Sequence, residues 1–281
     1  MKATDIASSV QRLVSFPEVY FALRRVINDP DSSLQDVALL LERDPALAAG
    51  ILRLANSAYF KTAAPVASIS HATSLLGMLQ VHDFALGTVV MRAFPPIPAQ
   101  LMDMRRFWHN SMVAATSARH LANVAEYLDS GRLFLLGLLA QIGRLAIWMT
   151  LPEDSHAMLA AANGSLLQLN ACERHRLGFD YAEVGAALLT AWELPEELVT
   201  PIRAHTQPAT FAGGITAIHA MVHVAVCIAD GLDAGAEPEQ IMHAITRSAW
   251  EALELTPAVL VAHIAHITDE AAELSRQFDG A

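Results

Sequence analysis

From Leu133 to Leu151 the chain contains no acidic residue and almost nothing polar besides Gln141, Arg144 and Thr150. A run of this kind has two physical solutions. It crosses a bilayer, or it is a helical segment buried on all sides inside a protein. Gln141 and Arg144 lie at its centre, where a charge facing hydrocarbon is costly, so the second solution is expected. Burying such a segment requires other helices around it.

The rest of the sequence supplies them. Pro17 suits a first helical turn, after which Val19, Leu23, Val26 and Ile27 recur at helical spacing up to the stop Asn28-Asp-Pro-Asp31. Ser33 with Asp36 forms a variant capping box ahead of Leu34, Val37, Leu40 and Leu41. Asp44-Pro45 starts another helix carrying Leu47, Ile51 and Leu54. Phe94-Pro-Pro-Ile-Pro98 breaks the pattern and is the best candidate for an internal boundary. Beyond it, Leu101 to Leu128 reads as one long helix or two. Further helices are expected over Leu166–His175, Tyr181–Trp192, Pro195–His205 and Ile215–Leu232, with two or three shorter ones to finish. Strand signals are absent from the first ninety or so residues, and the fold class is all-α.

Composition narrows the function. A formal net charge of −11 and the lack of any dense basic run disfavour a general polyanion binder. Cys172 and Cys227 are too few and too far apart for a disulfide framework or zinc site, and both read as buried thiols. The N-terminus lacks a secretory layout, so a cytoplasmic location is expected, with neither nucleic acid nor membrane as partner.

Several ordered blocks resemble the HDOD domain, a bacterial relative of the HD-domain phosphohydrolases. They are Glu42-Arg-Asp-Pro-Ala-Leu47 with Leu52-Arg-Leu-Ala-Asn-Ser-Ala-Tyr-Phe60, then Ile69-Ser-His-Ala-Thr-Ser-Leu-Leu-Gly77. Phe107-Trp108 with Ser111 and Gly137-Leu-Leu-Ala-Gln-Ile-Gly-Arg-Leu145 follow. Tyr181-Ala-Glu-Val-Gly185, Trp192-Glu-Leu-Pro195 and Ile202-Arg-Ala-His205 complete the series. The resemblance implies an N-terminal helical part over residues 10–94 and an HD-like bundle with C-terminal helices over 99–281. It also implies a role in signalling through contacts with other proteins.

It further implies where an HD enzyme would hold its metals, and this chain departs from that pattern. The His-Asp pair is replaced by Ala140 and Gln141, the first His by Asn110, and a later His by Tyr181. His109 is next to Asn110, but one helical residue rotates about 100° and should turn it elsewhere. His205 and Asp230 match two remaining positions, and Thr206 stands beside the first. A methyl group cannot ligate a cation, and a neutral amide is a poor substitute for a bridging carboxylate. No catalytic residue, metal or cofactor is expected.

Arg144 follows Ala140 by one helical turn and projects toward the same place. It could receive a small anionic ligand with His205 nearby, or pair with a carboxylate such as Glu183 or Asp230. Arg144, His205 and Asp230 are therefore the candidate ligand-binding residues. His219, His223 and Asp230 fall within about 40° on one helix face, a ligand stripe or simply histidines beside a core helix. His263 and His266 read as a solvated face, and His71 and His82 as isolated. Asn56-Ser57 reads as a cap for a turn over Ala58-Tyr59-Phe60, not a nucleophile. With no phosphate loop, nucleophile elbow or zincin helix, the leading expectation is a non-catalytic signal-transduction or scaffold protein contacting separate signalling polypeptides. Two alternatives stand: a sensor for a small anion or nucleotide in the relic pocket, and a metal-dependent phosphohydrolase with a degenerate site.

Overall fold

The computed structural model describes residues 1–14, 18–56, 62, 64–95, 97–99, 102–208 and 214–278. Pro17, Pro96 and the Ser57–Phe60 turn lie outside them. Among the described residues there are seventeen helices and no strand. They fall into two compact units, Ser15–Pro95 with Ala272–Ala281, and Met1–Val14 with Pro96–Ala271. The change at residues 95 and 96 falls inside the proline-rich break in the sequence pattern.

In order, the helices are α1 (Ala3–Leu13), α2 (Glu18–Asn28), α3 (Leu34–Leu41), α4 (Pro45–Ala55), α5 (Ile69–Leu76) and α6 (Met78–Ala93). There follow α7 (Met104–Val124), α8 (Ser130–Leu139), α9 (Ile142–Thr150), α10 (Pro152–Ala161), α11 (Leu166–Leu177) and α12 (Tyr181–Ala191). The last are α13 (Glu196–Ala204), α14 (Ala217–Asp233), α15 (Pro238–Ala244), α16 (Arg247–Leu253) and α17 (Pro257–Phe278).

In the smaller unit, local chemistry sets the helix starts. Ser33 Oγ accepts from Asp36 N at 3.3 Å while Asp36 Oδ2 accepts from Ser33 N at 2.9 Å, closing the capping box at α3. Asp44 Oδ1 accepts from Ala46 N and Leu47 N at 3.0 and 3.1 Å, and Pro45 opens α4. Asn56 caps the C-terminus of α4, and the turn expected after it lies outside the described residues. Its amide brackets Val66, donating to the Val66 carbonyl at 2.8 Å and accepting from Val66 N at 2.7 Å. His82 is not isolated either, since it meets Asp83 at 3.0 Å and packs near the Tyr20 ring.

The larger unit holds the apolar segment. Ser130–Thr150 is long and apolar enough to span a bilayer, yet 89 % of its most apolar window is buried within the protein. It is not one continuous helix. α8 ends at Leu139, Ala140 caps it, and Gln141 at φ −101° and ψ 5° opens α9. The turn lies where the resemblance to HD enzymes puts a His-Asp pair. Around it, α8 packs on α7, α9 on α12, and α14 on α7 and α8. α1 also belongs here, so residues 10–14 leave the N-terminal part in which the sequence put them. Ile6, Ala7 and Val10 are buried, α1 packs on α9 and α12, and Gln11 Nε2 donates to the Ala191 carbonyl at 2.7 Å. Residues 101–128 yield one helix, α7, and the last helix is long, not short.

Two glycines fix these crossings by being small. A Cβ on Gly137 would lie 2.5 Å from the Ala114 carbonyl oxygen, and one on Gly143 would overlap the Tyr181 carbonyl and lie 2.6 Å from Gly185 N. The obstacle is backbone in both cases, so no side-chain rotation relieves it. Gly143→Ala is expected to lose about 3 kcal/mol or more, or to fail to fold, because α9 must move off α12. Urea unfolding of the variant at near wild-type stability would refute this close contact.

Candidate functional site

α7 begins where Asp103 Oδ1 accepts from Arg106 N at 3.0 Å. Its inward face then carries Phe107, Asn110, Ser111 and Ala114, while His109 is exposed. The opening of α9 brings Gln141 and Arg144, one turn apart, to the same place. α14 contributes Asp230, thirteen residues after its first. These four side chains form one buried cluster.

At its centre Arg144 grips Asp230 with two parallel bonds, Nη1 to Oδ1 at 2.8 Å and Nη2 to Oδ2 at 2.6 Å. Arg144 is 2 % exposed. Its Nη1 also donates to Gln141 Oε1 at 2.8 Å, and Nη2 to the Leu166 carbonyl at 3.3 Å. Asp230 Oδ1 further accepts from Asn110 Nδ2 at 3.0 Å and Gln141 Nε2 at 3.2 Å. Burial alone would push the guanidinium pKa down, but the Asp230 carboxylate overrides this and holds it above its ordinary value. Of the two carboxylates suggested for Arg144, Asp230 is the partner. Glu183 is turned outward and lies 3.7 Å from Arg174.

Tyr181 completes the far side. Its ring lies 4.2 Å from the guanidinium carbon, a cation–π contact in a dry site. Burial raises the hydroxyl pKa well above the usual value, so it stays protonated. His205 Nδ1 lies 2.6 Å from the Ile202 carbonyl, which can only accept, so Nδ1 carries the proton. Its Nε2 lone pair therefore accepts a hydrogen bond from the Tyr181 hydroxyl at 3.0 Å. His223 repeats this arrangement, with Nδ1 on the His205 carbonyl at 2.7 Å and Nε2 accepting from Thr246 N at 3.1 Å. Burial depresses both pKa values, that of His205 to about 4, and both rings are neutral.

The three candidate residues thus fall in one region, but not as one ligand cradle. Arg144 and Asp230 satisfy each other, and His205 reaches them through Tyr181. All three residues of the His219–His223–Asp230 stripe are buried, but they have separate partners: His219 Nδ1 lies 3.2 Å from Thr216 N at the helix start, His223 bonds the His205 carbonyl and Thr246, and Asp230 is held by Arg144. His263 is not simply solvated, because its ring centre lies 4.4 Å from that of His120. Cys172 is half-buried and Cys227 buried; both are free. One interior group went unread in the sequence. Glu173, within the polar run Glu173-Arg-His-Arg176, is 2 % exposed and accepts from Tyr181 N at 2.8 Å. Burial pushes its pKa up to about 8. Nothing local in the sequence marks it.

The donor set does not fit a divalent metal pair. Asn110 and Gln141 offer neutral amides, both oxygens of Asp230 already accept from nitrogen donors, and the His205 and His223 lone pairs are occupied. Among the described residues no group of three His, Cys, Asp or Glu side chains could hold a metal ion.

The sequence profile of the HDOD domain matches residues 13–208. The chain belongs to the HDOD family. Among solved structures, a Shewanella amazonensis SB2B protein assigned as a phosphohydrolase is similar, at 26 % identity over 97 % of both chains with a TM-score of 0.77. An HDOD protein of unknown function from Geobacter sulfurreducens shares the fold at 21 % identity, covering 96 % of this chain and 97 % of that one, TM-score 0.70. A signal transduction protein from Marinobacter aquaeolei VT8 shares it at 21 % identity, covering 96 % of this chain and 61 % of that one, TM-score 0.71. A curated relative, an uncharacterized Treponema pallidum protein, is 24 % identical over 204 residues, 72 % of this chain and 39 % of that one. The HDOD chain therefore matches well under half of that relative's length.

Two measurements probe this centre. Arg144→Met should cost about 3–5 kcal/mol by leaving the Asp230 carboxylate buried and unpaired, and pairing it with Asp230→Leu should recover most of the loss. A double variant no more stable than the single one would show that the pair is not the coupled unit. The second is pH. His205, His219 and His223 all have lowered folded pKa values, through burial. Their contribution is complete above about 6.5 and is lost as pH falls below it, down to about 4 for His205. Glu173 has the opposite sign, contributing below about 4.5 and losing that contribution as pH rises through about 8. With His120, which burial also pushes down to about 4, four histidines act against one carboxyl between pH 6.5 and 5, so the urea midpoint should drop on acidification. His205→Gln should flatten that slope by at most about 1.4 kcal/mol per pH unit.

Proposed function

We propose that this HDOD protein is a non-catalytic signalling or scaffold protein, acting in the cytoplasm by presenting helical surfaces to other signalling proteins. One observation carries the non-catalytic part. A permanently charged guanidinium, clasped by Asp230, stands where metal-dependent hydrolysis would need cations and an activated water. Freeing Asp230 for a metal would strand Arg144 as an unpaired buried charge, a cost of several kcal/mol. Even then, the Tyr181 hydroxyl would still hold the His205 lone pair. Family membership supports the signalling part, as does the shared fold of the Marinobacter aquaeolei signal transduction protein.

The test is biochemical. Protein purified without chelators should carry sub-stoichiometric iron, manganese and zinc. It should not turn over bis(p-nitrophenyl) phosphate or cyclic dinucleotides when Mn²⁺ is supplied. Stoichiometric metal together with hydrolysis that disappears in Asp230→Asn would restore the phosphohydrolase reading and end this one.

A further inference from the structure

Three histidines outside the relic site meet where α17 lies against α7. The His120 ring on α7 has its centre 4.4 Å from that of His263 and 6.0 Å from that of His266, both on α17. One ion pair ties the same two helices, with Arg119 Nη2 2.6 Å from Glu270 Oε1. α17 also buries Leu260, Ile264 and Ile267, which share one helix face. All of these residues belong to the larger unit.

The histidine cluster accepts neutral imidazoles and opposes charged ones. His120 is half-buried, and its Nε2 atom is wholly buried with no hydrogen-bond partner in the protein. In a neutral ring that nitrogen can remain a lone pair. An imidazolium carries a proton on both nitrogens, so an Nε2–H would be buried with nothing to accept it. His263 Nδ1 lies 2.6 Å from the Val259 carbonyl, which places its one proton there. A second proton on His263 would set a like charge against the His120 ring.

The surrounding groups do not offset such charge. Arg119, beside His120 on α7, is itself a cation, and the Glu270 carboxylate is engaged by it. Asp269 on α17 is exposed. From α8, the Phe134 ring lies 4.7 Å from the Arg119 guanidinium carbon, while Arg132 pairs with Asp129 at 3.1 Å. The ionisable groups of α14 have partners elsewhere: His219 at Thr216, His223 at the His205 carbonyl and Thr246, and Asp230 at Arg144. Burial, then His263, His266 and Arg119, push the His120 pKa down to about 4.

We propose that the first part of α17, residues 257–271, is an acid-sensitive latch, released from α7 when His120 is protonated and then exposing its Leu260–Ile264–Ile267 face. The docked helix holds His120 below its ordinary value of 6.5, so docking is complete above about 6.5 and weakens as pH falls toward about 4. Release restores the ordinary value, so the docked-to-released ratio falls about thirty-fold from pH 7.5 to 5. The latch does not rest on the non-catalytic reading, which its failure would leave standing.

Hydrogen exchange of the full chain, read by mass spectrometry at about pH 7.5 and 5, tests it. Peptides within 257–271 should lose protection about thirty-fold on acidification, after correction for the pH dependence of chemical exchange. At pH 5 they should also be at least roughly ten-fold less protected than α8, so that the helix opens while the bundle stays folded. His120→Phe keeps a ring that cannot be protonated and should reduce the loss to below about three-fold; His120→Gln serves where the Phe variant does not fold. A wild-type loss below about three-fold would overturn the latch. So would equal protection of α8 and 257–271 at pH 5, or a thirty-fold loss that persists in the folded His120 variant.

Discussion

The paired bonds between Arg144 and Asp230 organise the interior of the larger unit. Through them α9 is tied to α14, while Asn110 brings in α7, the Leu166 carbonyl α11, and the Tyr181 ring α12. Two buried ions cost more to desolvate than one contact returns, so the pair persists because nearly every lone pair and N–H around it is used. Such an arrangement contributes little net stability. It specifies geometry, since no other packing of these helices would match the guanidinium fork to the carboxylate.

Burial keeps three titratable neighbours of that pair neutral. Glu173 is held toward its neutral acid form by burial, and His205 and His223 toward neutral imidazoles. Each histidine keeps one proton on a backbone carbonyl and turns its lone pair to a protein donor. This is what separates the site from a metal centre. Imidazoles and a carboxylate are present, but each imidazole lone pair and both carboxylate oxygens already accept from protein donors. The glycines of the same region have a separate explanation. Gly137 and Gly143 lie where helix backbones nearly touch, so the frame of the Gly137–Leu145 segment is held by packing whether or not any chemistry remains.

Much of this was legible in the chain. Helix starts at Ser33 and Asp44 were readable because a cap is a contact between residues two or three apart, set by local chemistry. The all-α class followed from periodicity, and the inward turn of Asn110 relative to His109 from helix geometry alone. The break at Ala140–Gln141 was not readable, because Leu133–Leu151 is apolar on both sides of it. The length of α17 and the placement of α1 in the larger unit also escaped, since both are settled by what those helices pack against.

By itself, then, the sequence determined the helices, the positions of the relic site and the absence of the residues that would hold two metals. It also reduced the role of Arg144 to two options. Only the tertiary structure chose between them, by placing Asp230, eighty-six residues away, against both terminal guanidinium nitrogens. It likewise decided that Glu173 is buried. The physical reason is the same in each case. Helix propensity and capping act over a few residues, whereas desolvation and charge pairing depend on groups that meet only after the chain has folded.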